Sequence, residues 1–226
     1  MPTSSSSVAV KICGITSLGA IDAAVGAGAT YGGLVFHAKS PRFVAPEQAR
    51  ALAQQMRGRL KLVALIADMD DAQVESVVND ARPDFLQLHG TETVRRTAEI
   101  RTRFGLPVIK ALAVAEPADL AMAPDYEDVA DMLLFDARPP KGATRGGGHG
   151  AAFDWKILQD RSFAKPWFLA AGLTPDNVAR AISLSGATQV DVSSGVESAP
   201  GVKDAVRIRD FIQAAQHPIP SSKQSA

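Results

Sequence analysis

The stretch VAVKICG, residues 8–14, alternates apolar side chains with a lysine and a cysteine. Because successive side chains of a strand point to opposite faces, Val8, Val10 and Ile12 share one face. Lys11 and Cys13 share the other. A parallel strand is covered on both faces, and its apolar face packs against helices. This stretch therefore predicts a buried strand that directs Lys11 and Cys13 toward the interior of the sheet.

Seven further apolar runs follow, separated by segments of helical length. With residues 8–14, the predicted strands cover residues 32–36, 61–67, 85–90, 107–114, 132–137, 166–172 and 189–195. Eight strands that alternate with helices are typical of the (β/α)8 TIM barrel, which folds as one domain of this size. We predict one barrel domain over residues 1–226, with its core at about 8–215 and flexible tails at 1–7 and 216–226.

Two of the predicted helices begin at a proline, which is favoured in the first turn of a helix. One covers residues 46–57. The other covers residues 175–184, with Thr174 as its N-cap. The longest irregular stretch, ARPPKGATRGGGHG within residues 137–152, follows the sixth strand and is interpreted as a lid over the catalytic face.

Composition excludes several classes of function. The formal net charge is zero, so no basic surface is available for a nucleic acid or an anionic membrane. Apolar runs fall short of the roughly 20 residues that span a bilayer, and the first residues lack the pattern of a secretory signal. We expect a cytoplasmic protein, either a monomer or a homodimer.

Neither a metal nor a cofactor is indicated by the sequence. The four histidines (His37, His89, His149 and His217) do not occur at metal-ligand spacing, and one cysteine cannot form a thiolate cluster. A strand followed by GxGxxG and a distant acidic residue is also missing, so a dinucleotide is not expected.

Polar residues recur on the predicted inward faces of other strands. In FLQLHG, Gln87 and His89 alternate with leucines, and in QVDVSSG, Asp191 and Ser193 alternate with valines. Burying such groups without partners costs roughly 2–7 kcal/mol each. Catalytic residues of TIM barrels come from the carboxyl ends of the strands, where these residues cluster.

Two further strand residues, Lys110 and Asp136, are predicted to face inward in the same way.

Other interpretations of these polar residues stay open. Cys13 could be a small core residue, and Asp136 could cap a loop. Gln87 and His89 could complete a hydrogen-bond network, and Lys11, Lys110 and Asp191 could form a structural charge network rather than contact a substrate.

The segments after the seventh and eighth strands are rich in small residues. Barrels commonly bind phosphate there, through backbone amides of glycine-containing loops. Gly172, Ser194 and Gly195 are the candidate phosphate ligands, although glycines also serve tight turns. Arg42, after the second strand, is either a solvated surface residue or a clamp that binds a substrate carboxylate through two parallel hydrogen bonds.

Six sequence blocks together resemble phosphoribosylanthranilate isomerases. They are KICGIT (11–16), SPR (40–42), QLHG (87–90), FDW (153–155), LAAGL (169–173) and DVSSGVE with PGVKD (191–204). The resemblance covers about residues 10–211, nearly the whole chain. Each block alone is modest evidence, but their shared order and spacing are specific.

The resemblance implies an Amadori rearrangement in tryptophan biosynthesis, with a small phosphorylated substrate and no cofactor. Cys13 would be the general base and Asp136 the general acid. Arg42 would bind the anthranilate carboxylate, and Gly172, Ser194 and Gly195 the phosphate. The base must be a thiolate, and Lys11 on the same strand face could lower the pKa of Cys13.

Three features depart from the family pattern. The chain has GGHG, with His149, where GGTG is usual; it has LAAGL where LAGGL is common; and the loop after Asp136 is longer. The rival enzymes are the aminoimidazole Amadori isomerase of histidine biosynthesis, which typically has an aspartate at the position of Cys13, and indole-glycerol-phosphate synthase. A non-catalytic phosphosugar-binding barrel is a rival of another class.

Overall fold

A computed structural model describes residues 7–138 and 152–217. Eight parallel strands close into a barrel in sequence order. They are β1 (Ala9–Cys13), β2 (Tyr31–Val35), β3 (Lys61–Ile66), β4 (Phe85–Leu88), β5 (Val108–Val114), β6 (Met132–Ala137), β7 (Trp167–Leu169) and β8 (Gln189–Val192). The predicted (β/α)8 barrel is confirmed. His149 and most of the interpreted lid lie outside the described residues.

Helices connect most of the strands. They are α1 (Leu18–Ala27), α2 (Pro46–Met56), α3 (Asp71–Ala81), α4 (Val94–Phe104), α5 (Ala123–Glu127), α6 (Val178–Ser185) and α7 (Ala205–Gln216). Short 3-10 helices lie at Pro117–Met122, Trp155–Leu158 and Ser194–Val196. Within the two described ranges, no helix is long and apolar enough to cross a bilayer.

Helix α2 begins at Pro46 as predicted, but the predicted start of α6 is wrong. Thr174 does not cap that helix, which begins at Val178. The side chain of Asn177 accepts a hydrogen bond from the Thr174 amide and donates one to the Gly172 carbonyl. These bonds hold the chain in a turn after β7 and delay the helix by three residues relative to the prediction at 175.

The barrel interior contains a cluster of buried residues whose side chains point inward from the strands. Its members are Tyr31, Val63, Ile109, Met132, Leu134, Phe168 and Ala170. Ala9 packs against this cluster, whereas Val10 and Ile12 belong to the larger core between strands and helices. The predicted inward face of β1, with Lys11 and Cys13, is therefore confirmed.

The predicted inward orientation of Lys110 is wrong. Its neighbours Ile109 and Ala111 pack in the barrel interior, so Lys110 points into the layer between β5 and the helices. There its Nζ atom donates to Glu92 Oε2 at 2.7 Å and to the Gly90 carbonyl at 2.9 Å. Ile109 and Ala111 set the phase of the strand, so Lys110 faces outward, and Glu92 supplies the counter-charge for the buried ammonium group.

A two-stranded antiparallel hairpin follows the barrel. Its strands are β9 (Glu197–Ala199) and β10 (Val202–Lys203). The hairpin contacts the loop after β1, where Thr16 Oγ1 donates to the Gly201 carbonyl at 2.9 Å. Asp204 then caps α7 by accepting from the amides of Val206 and Arg207. The hairpin is thereby held beside the carboxyl end of β1.

The Lys110–Glu92 pair provides a test of the outer layer. Both side chains are almost fully buried, so Lys110→Met leaves the Glu92 carboxylate without its counter-charge. We expect the free energy of unfolding, measured by urea denaturation, to fall by about 3–5 kcal/mol. The exposed Lys156 is the control, and Lys156→Met should change stability by less than about 0.5 kcal/mol. Equal losses in the two variants would contradict this account.

Candidate active site

Cys13 and Asp136 lie at the carboxyl ends of two barrel strands. Cys13 is the last residue of β1, and Asp136 is the penultimate residue of β6. Asp136 shares its strand phase with Met132 and Leu134, which pack in the interior. Since β6, β7, β8 and β1 are successive neighbours in the closed sheet, the two side chains face the same interior from strands three steps apart.

Cys13 is buried, with 4% of its surface exposed. Burial raises the pKa of the Cys13 thiol above its ordinary value, and the Asp191 carboxylate adds to the increase. The Lys11 and Lys203 ammonium groups lower it. Lys11 thus acts in the expected direction, but the loss of hydration outweighs it, and the resting site holds mainly the neutral thiol near neutral pH.

Lys11 and Asp191 form an ion pair beneath the thiol. Lys11 Nζ lies 2.9 Å from Asp191 Oδ1, and Lys11 is fully buried. Burial alone would lower the pKa of Lys11, but Asp191 and Cys13 outweigh it and raise the pKa overall. The lysine is therefore held as a cation one strand layer below Cys13.

The Asp136 carboxyl is oriented from two sides. Its Oδ1 atom accepts hydrogen bonds from the Ala137 amide at 2.8 Å and from the Ala171 amide at 3.0 Å. Its Oδ2 atom lies 3.4 Å from His89 Nε2. The β7 loop, through Ala171, and the end of β4, through His89, together fix where this carboxyl points.

Gln87 and His89 lie next to each other at the end of β4. Gln87 is fully buried, and its Nε2 atom is 3.0 Å from His89 Nδ1. An amide nitrogen can only donate, so a neutral imidazole here accepts at Nδ1 and carries its hydrogen on Nε2, facing Asp136. Within the described part of the chain, Gln87 Oε1 is a buried atom without a partner. The predicted hydrogen-bond network thus includes Asp136.

The loops after β7 and β8 approach each other closely at Gly195. A Cβ atom at this position would lie only 1.9 Å from the Leu173 carbonyl oxygen. Gly172 has a φ of +65°, in the left-handed region that favours glycine. Two of the three predicted phosphate residues are therefore positions that favour glycine, and at Gly195 the absence of a side chain allows the two loops to approach.

Arg42 is buried and forms an ion pair with Glu197, a residue that was not predicted from the sequence. Its Nε and Nη2 atoms donate to Glu197 at 2.7 and 2.8 Å, in a two-pronged ion pair. The solvated-surface interpretation of Arg42 is therefore wrong. The arginine stem passes over Gly14, where a Cβ atom would lie 2.5 Å from Arg42 Cδ. Arg42 thus lies against the residue that follows Cys13.

Lys203 is a second residue that the sequence reasoning missed. Its Nζ atom donates to Glu197 Oε1 at 2.6 Å and to the Ser193 carbonyl at 3.0 Å, and Ser193 Oγ donates to the Cys13 carbonyl at 3.1 Å. A signal for this pair was present in the sequence. In ESAPGVK, residues 197–203, the central Pro200–Gly201 dipeptide is typical of a turn that would pair Glu197 with Lys203.

The site residues fall into two groups around the barrel mouth. Lys11, Cys13, Arg42 and Asp191 lie on the β1–β2–β8 side, and Gln87, His89 and Asp136 lie on the β4–β6 side. Among the residues described, no three His, Cys, Asp or Glu side chains are grouped as they would be to hold a metal ion. The chemistry available is acid–base catalysis at a thiol and a carboxyl, with cations for an anionic ligand.

Comparison with known proteins identifies the family. Residues 10–214 match the family model for N-(5'-phosphoribosyl)anthranilate isomerase. The N-(5'-phosphoribosyl)anthranilate isomerase of Paramagnetospirillum magneticum is 54% identical over 92% of this chain and 97% of its own length. The one from Paracoccus denitrificans is 55% identical over 94% of this chain and 99% of its own.

Solved structures agree with the sequence comparison. Phosphoribosyl anthranilate isomerase from Thermotoga maritima superimposes with a TM-score of 0.82 at 35% identity, covering 92% of this chain and 98% of that one. A phosphoribosyl anthranilate isomerase in complex with reduced 1-(o-carboxyphenylamino)-1-deoxyribulose 5-phosphate gives a TM-score of 0.79 at 34% identity, over the same shares of the two chains. This chain therefore belongs to the phosphoribosylanthranilate isomerase family.

Proposed function

We propose that this protein converts N-(5-phospho-β-D-ribosyl)anthranilate into 1-(2-carboxyphenylamino)-1-deoxy-D-ribulose 5-phosphate, the Amadori rearrangement of tryptophan biosynthesis, with Cys13 as base and Asp136 as acid. Membership of the family makes the protein an isomerase. The observation that carries the assignment of roles is that one thiol and one carboxyl face a shared interior from the carboxyl ends of β1 and β6.

The first step opens the furanose ring. Asp136 gives a proton to the ring oxygen while the C1′–O bond breaks and the anthranilate nitrogen lone pair forms a Schiff base. A general acid must be held within hydrogen-bond reach of the atom it protonates. The amides of Ala137 and Ala171 fix Oδ1, and His89 Nε2 lies 3.4 Å from Oδ2, so the proton that Asp136 gives would be carried on Oδ2 beside His89.

The second step removes a proton from C2′ of the Schiff base. The Cys13 thiolate takes this proton, and the electron pair moves toward the nitrogen to give an enolamine, which tautomerises to the ketone. The thiolate is the active form, and burial disfavours it, while Lys11 and Lys203 favour it. The two lysines therefore oppose the burial effect at the base.

Binding uses the charged and polar groups around these two residues. Arg42 is proposed to bind the anthranilate carboxylate, and Gly172, Ser194 and Gly195 the phosphate. Lys11, Asp191, Gln87 and His89 are proposed as further substrate-binding residues; of these, His89 also orients Asp136. The proposal places the reaction in the cytoplasm and requires no cofactor.

The two proton-transfer roles are tested by Cys13→Ser and Asp136→Asn. Each should reduce kcat by about a hundredfold or more, because each removes one of the two proton carriers. Turnover is followed by the loss of anthranilate fluorescence, and circular dichroism checks the fold. Near-normal turnover in either variant would contradict the role assigned to that residue. Absence of turnover in the native protein would instead favour a non-catalytic phosphosugar-binding barrel.

The raised pKa of Cys13 predicts that its thiolate forms only at alkaline pH, because burial disfavours the charged form. The ultraviolet absorbance of the thiolate in the substrate-free protein checks this directly, with Cys13→Ser as the blank, since Cys13 is the only cysteine. The absorbance should be small at neutral pH and rise through the alkaline range. A thiolate absorbance that is already complete at neutral pH would contradict the raised pKa.

The same pKa shift has a consequence for stability. A thiol whose pKa is raised by folding holds its proton more tightly in the folded state. Its contribution to stability is therefore complete below the unfolded pKa and is lost as pH rises through the folded pKa. Cys13→Ser should lose less stability than the native protein over that alkaline range.

The phosphate loops are tested by Gly195→Ala. The new methyl group would overlap the Leu173 carbonyl, so the β7 and β8 loops must separate. We expect KM for the phosphorylated substrate to rise by about tenfold or more. Gly26→Ala in α1 is the matched control, because a methyl group there meets no atom within 4 Å. An unchanged KM in a folded Gly195→Ala protein would place the phosphate elsewhere.

A further inference from the structure

The carboxylate of Glu197 accepts hydrogen bonds from two of the three guanidinium nitrogens of Arg42. The guanidinium has five N–H groups, and the ion pair uses one on Nε and one on Nη2. Within the described part of the chain, the guanidinium donates only to Glu197. Three N–H groups, two on Nη1 and one on Nη2, therefore remain for another acceptor.

The charges around this ion pair do not balance. Among the described residues, Glu197 is the carboxylate that bonds both Arg42 and Lys203, and all three side chains are at most 7% exposed. Burial lowers the pKa of Lys203, while Glu197 opposes that effect and favours the ammonium form, which is the form counted here. The sum is two positive charges and one negative, or +1. The neighbouring Lys11–Asp191 pair is neutral in itself. A buried excess of positive charge favours an incoming anion, because the anion completes the pairing that water cannot supply.

The ion pairs also fix the geometry of Arg42. Burial opposes ionisation of Glu197, but the hydrogen bonds from Arg42 and Lys203 outweigh it and lower the pKa of Glu197, so it is a carboxylate at neutral pH. Lys203 in turn is anchored to Ser193, whose hydroxyl bonds the Cys13 carbonyl. The orientation of the guanidinium is thus tied, through the hairpin, to the backbone of the proposed base.

We propose that Glu197 is a positioning residue for substrate specificity: it holds Arg42 with three N–H groups free for the anthranilate carboxylate, while Lys203 supplies the second cation of the site. The inference rests on the proposed function, since that function supplies a ligand with an aromatic carboxylate. Glu197 acts through Arg42 and does not itself contact the substrate. It makes the site selective for anilines that carry the carboxylate.

The test compares two ligands that differ only in the carboxylate. One is reduced 1-(o-carboxyphenylamino)-1-deoxyribulose 5-phosphate, and the other is the same compound with a plain phenylamino group. Dissociation constants by calorimetry give a carboxylate preference, the ratio of the two values. Because binding is measured without turnover, failure of this inference is separate from failure of the proposed reaction.

Glu197→Gln removes the charge and one of the acceptors while keeping the shape. We expect the carboxylate preference of the native protein to fall by about tenfold, the scale of one charge-assisted hydrogen bond, and the phenylamino ligand to bind within about twofold of native. Arg42→Ala should abolish the preference. Ser198→Ala, on the exposed edge of the same hairpin, is the matched control and should leave it unchanged.

Glu197→Asp separates geometry from charge and also serves if Glu197→Gln fails to fold. The side chain is one methylene shorter and cannot reach both guanidinium nitrogens and Lys203, so the preference should fall although the charge is kept. A full preference in Glu197→Asp would overturn the positioning role, as would equal weakening of both ligands in Glu197→Gln. Tighter binding of the carboxylate ligand in Glu197→Gln would make Glu197 a competitor of the substrate and would also overturn it.

Discussion

The closing contact of the barrel, between β1 and β8, is the constraint on which the site depends. It places Lys11 opposite Asp191 in the register, residues separated by 180 positions in the chain, and the two form a 2.9 Å ion pair inside the barrel. Breaking such a buried pair leaves a charge without a partner, which costs several kcal/mol. The register of this seam is therefore strongly determined, and it fixes Cys13 beside Ser193 and the hairpin that follows β8.

The electrostatics of the thiol follow from this placement. Cys13 loses most of its hydration at the strand end, and this loss is the largest influence on its pKa. The cations that oppose it come from different elements, Lys11 from β1 and Lys203 from β10. The thiol proposed as the base thus depends on both the barrel seam and the hairpin, so its proton affinity is a property of the tertiary fold and not of the KICG motif alone.

Period-two alternation predicted the orientation of most site residues because it depends only on local backbone geometry. It placed Lys11, Cys13 and Gln87 correctly. It failed for Lys110, because there the polar residue was taken to mark the interior, whereas the counter-charge lies in the loop after β4 at Glu92. The Glu197–Lys203 pair was missed for a related reason: its meaning depends on Arg42, 155 residues away from Glu197. Partners across the chain are set by topology, which a local pattern does not contain.

Ala171 shows how the site takes precedence over local backbone preference. It replaces a glycine that is common in the related LAGGL motif, yet its φ is +75°, where a side chain costs roughly 1–2 kcal/mol. In that conformation its amide donates to Asp136 Oδ1, and the preceding amide of Ala170 donates to the Phe135 carbonyl in the β6–β7 ladder. With the 170–171 peptide held by these two bonds, a relaxed φ at Ala171 would redirect the chain that follows, including Leu173, whose carbonyl lies against Gly195. The strained φ therefore sets the course of the β7 loop from a peptide that is already fixed on the proposed acid.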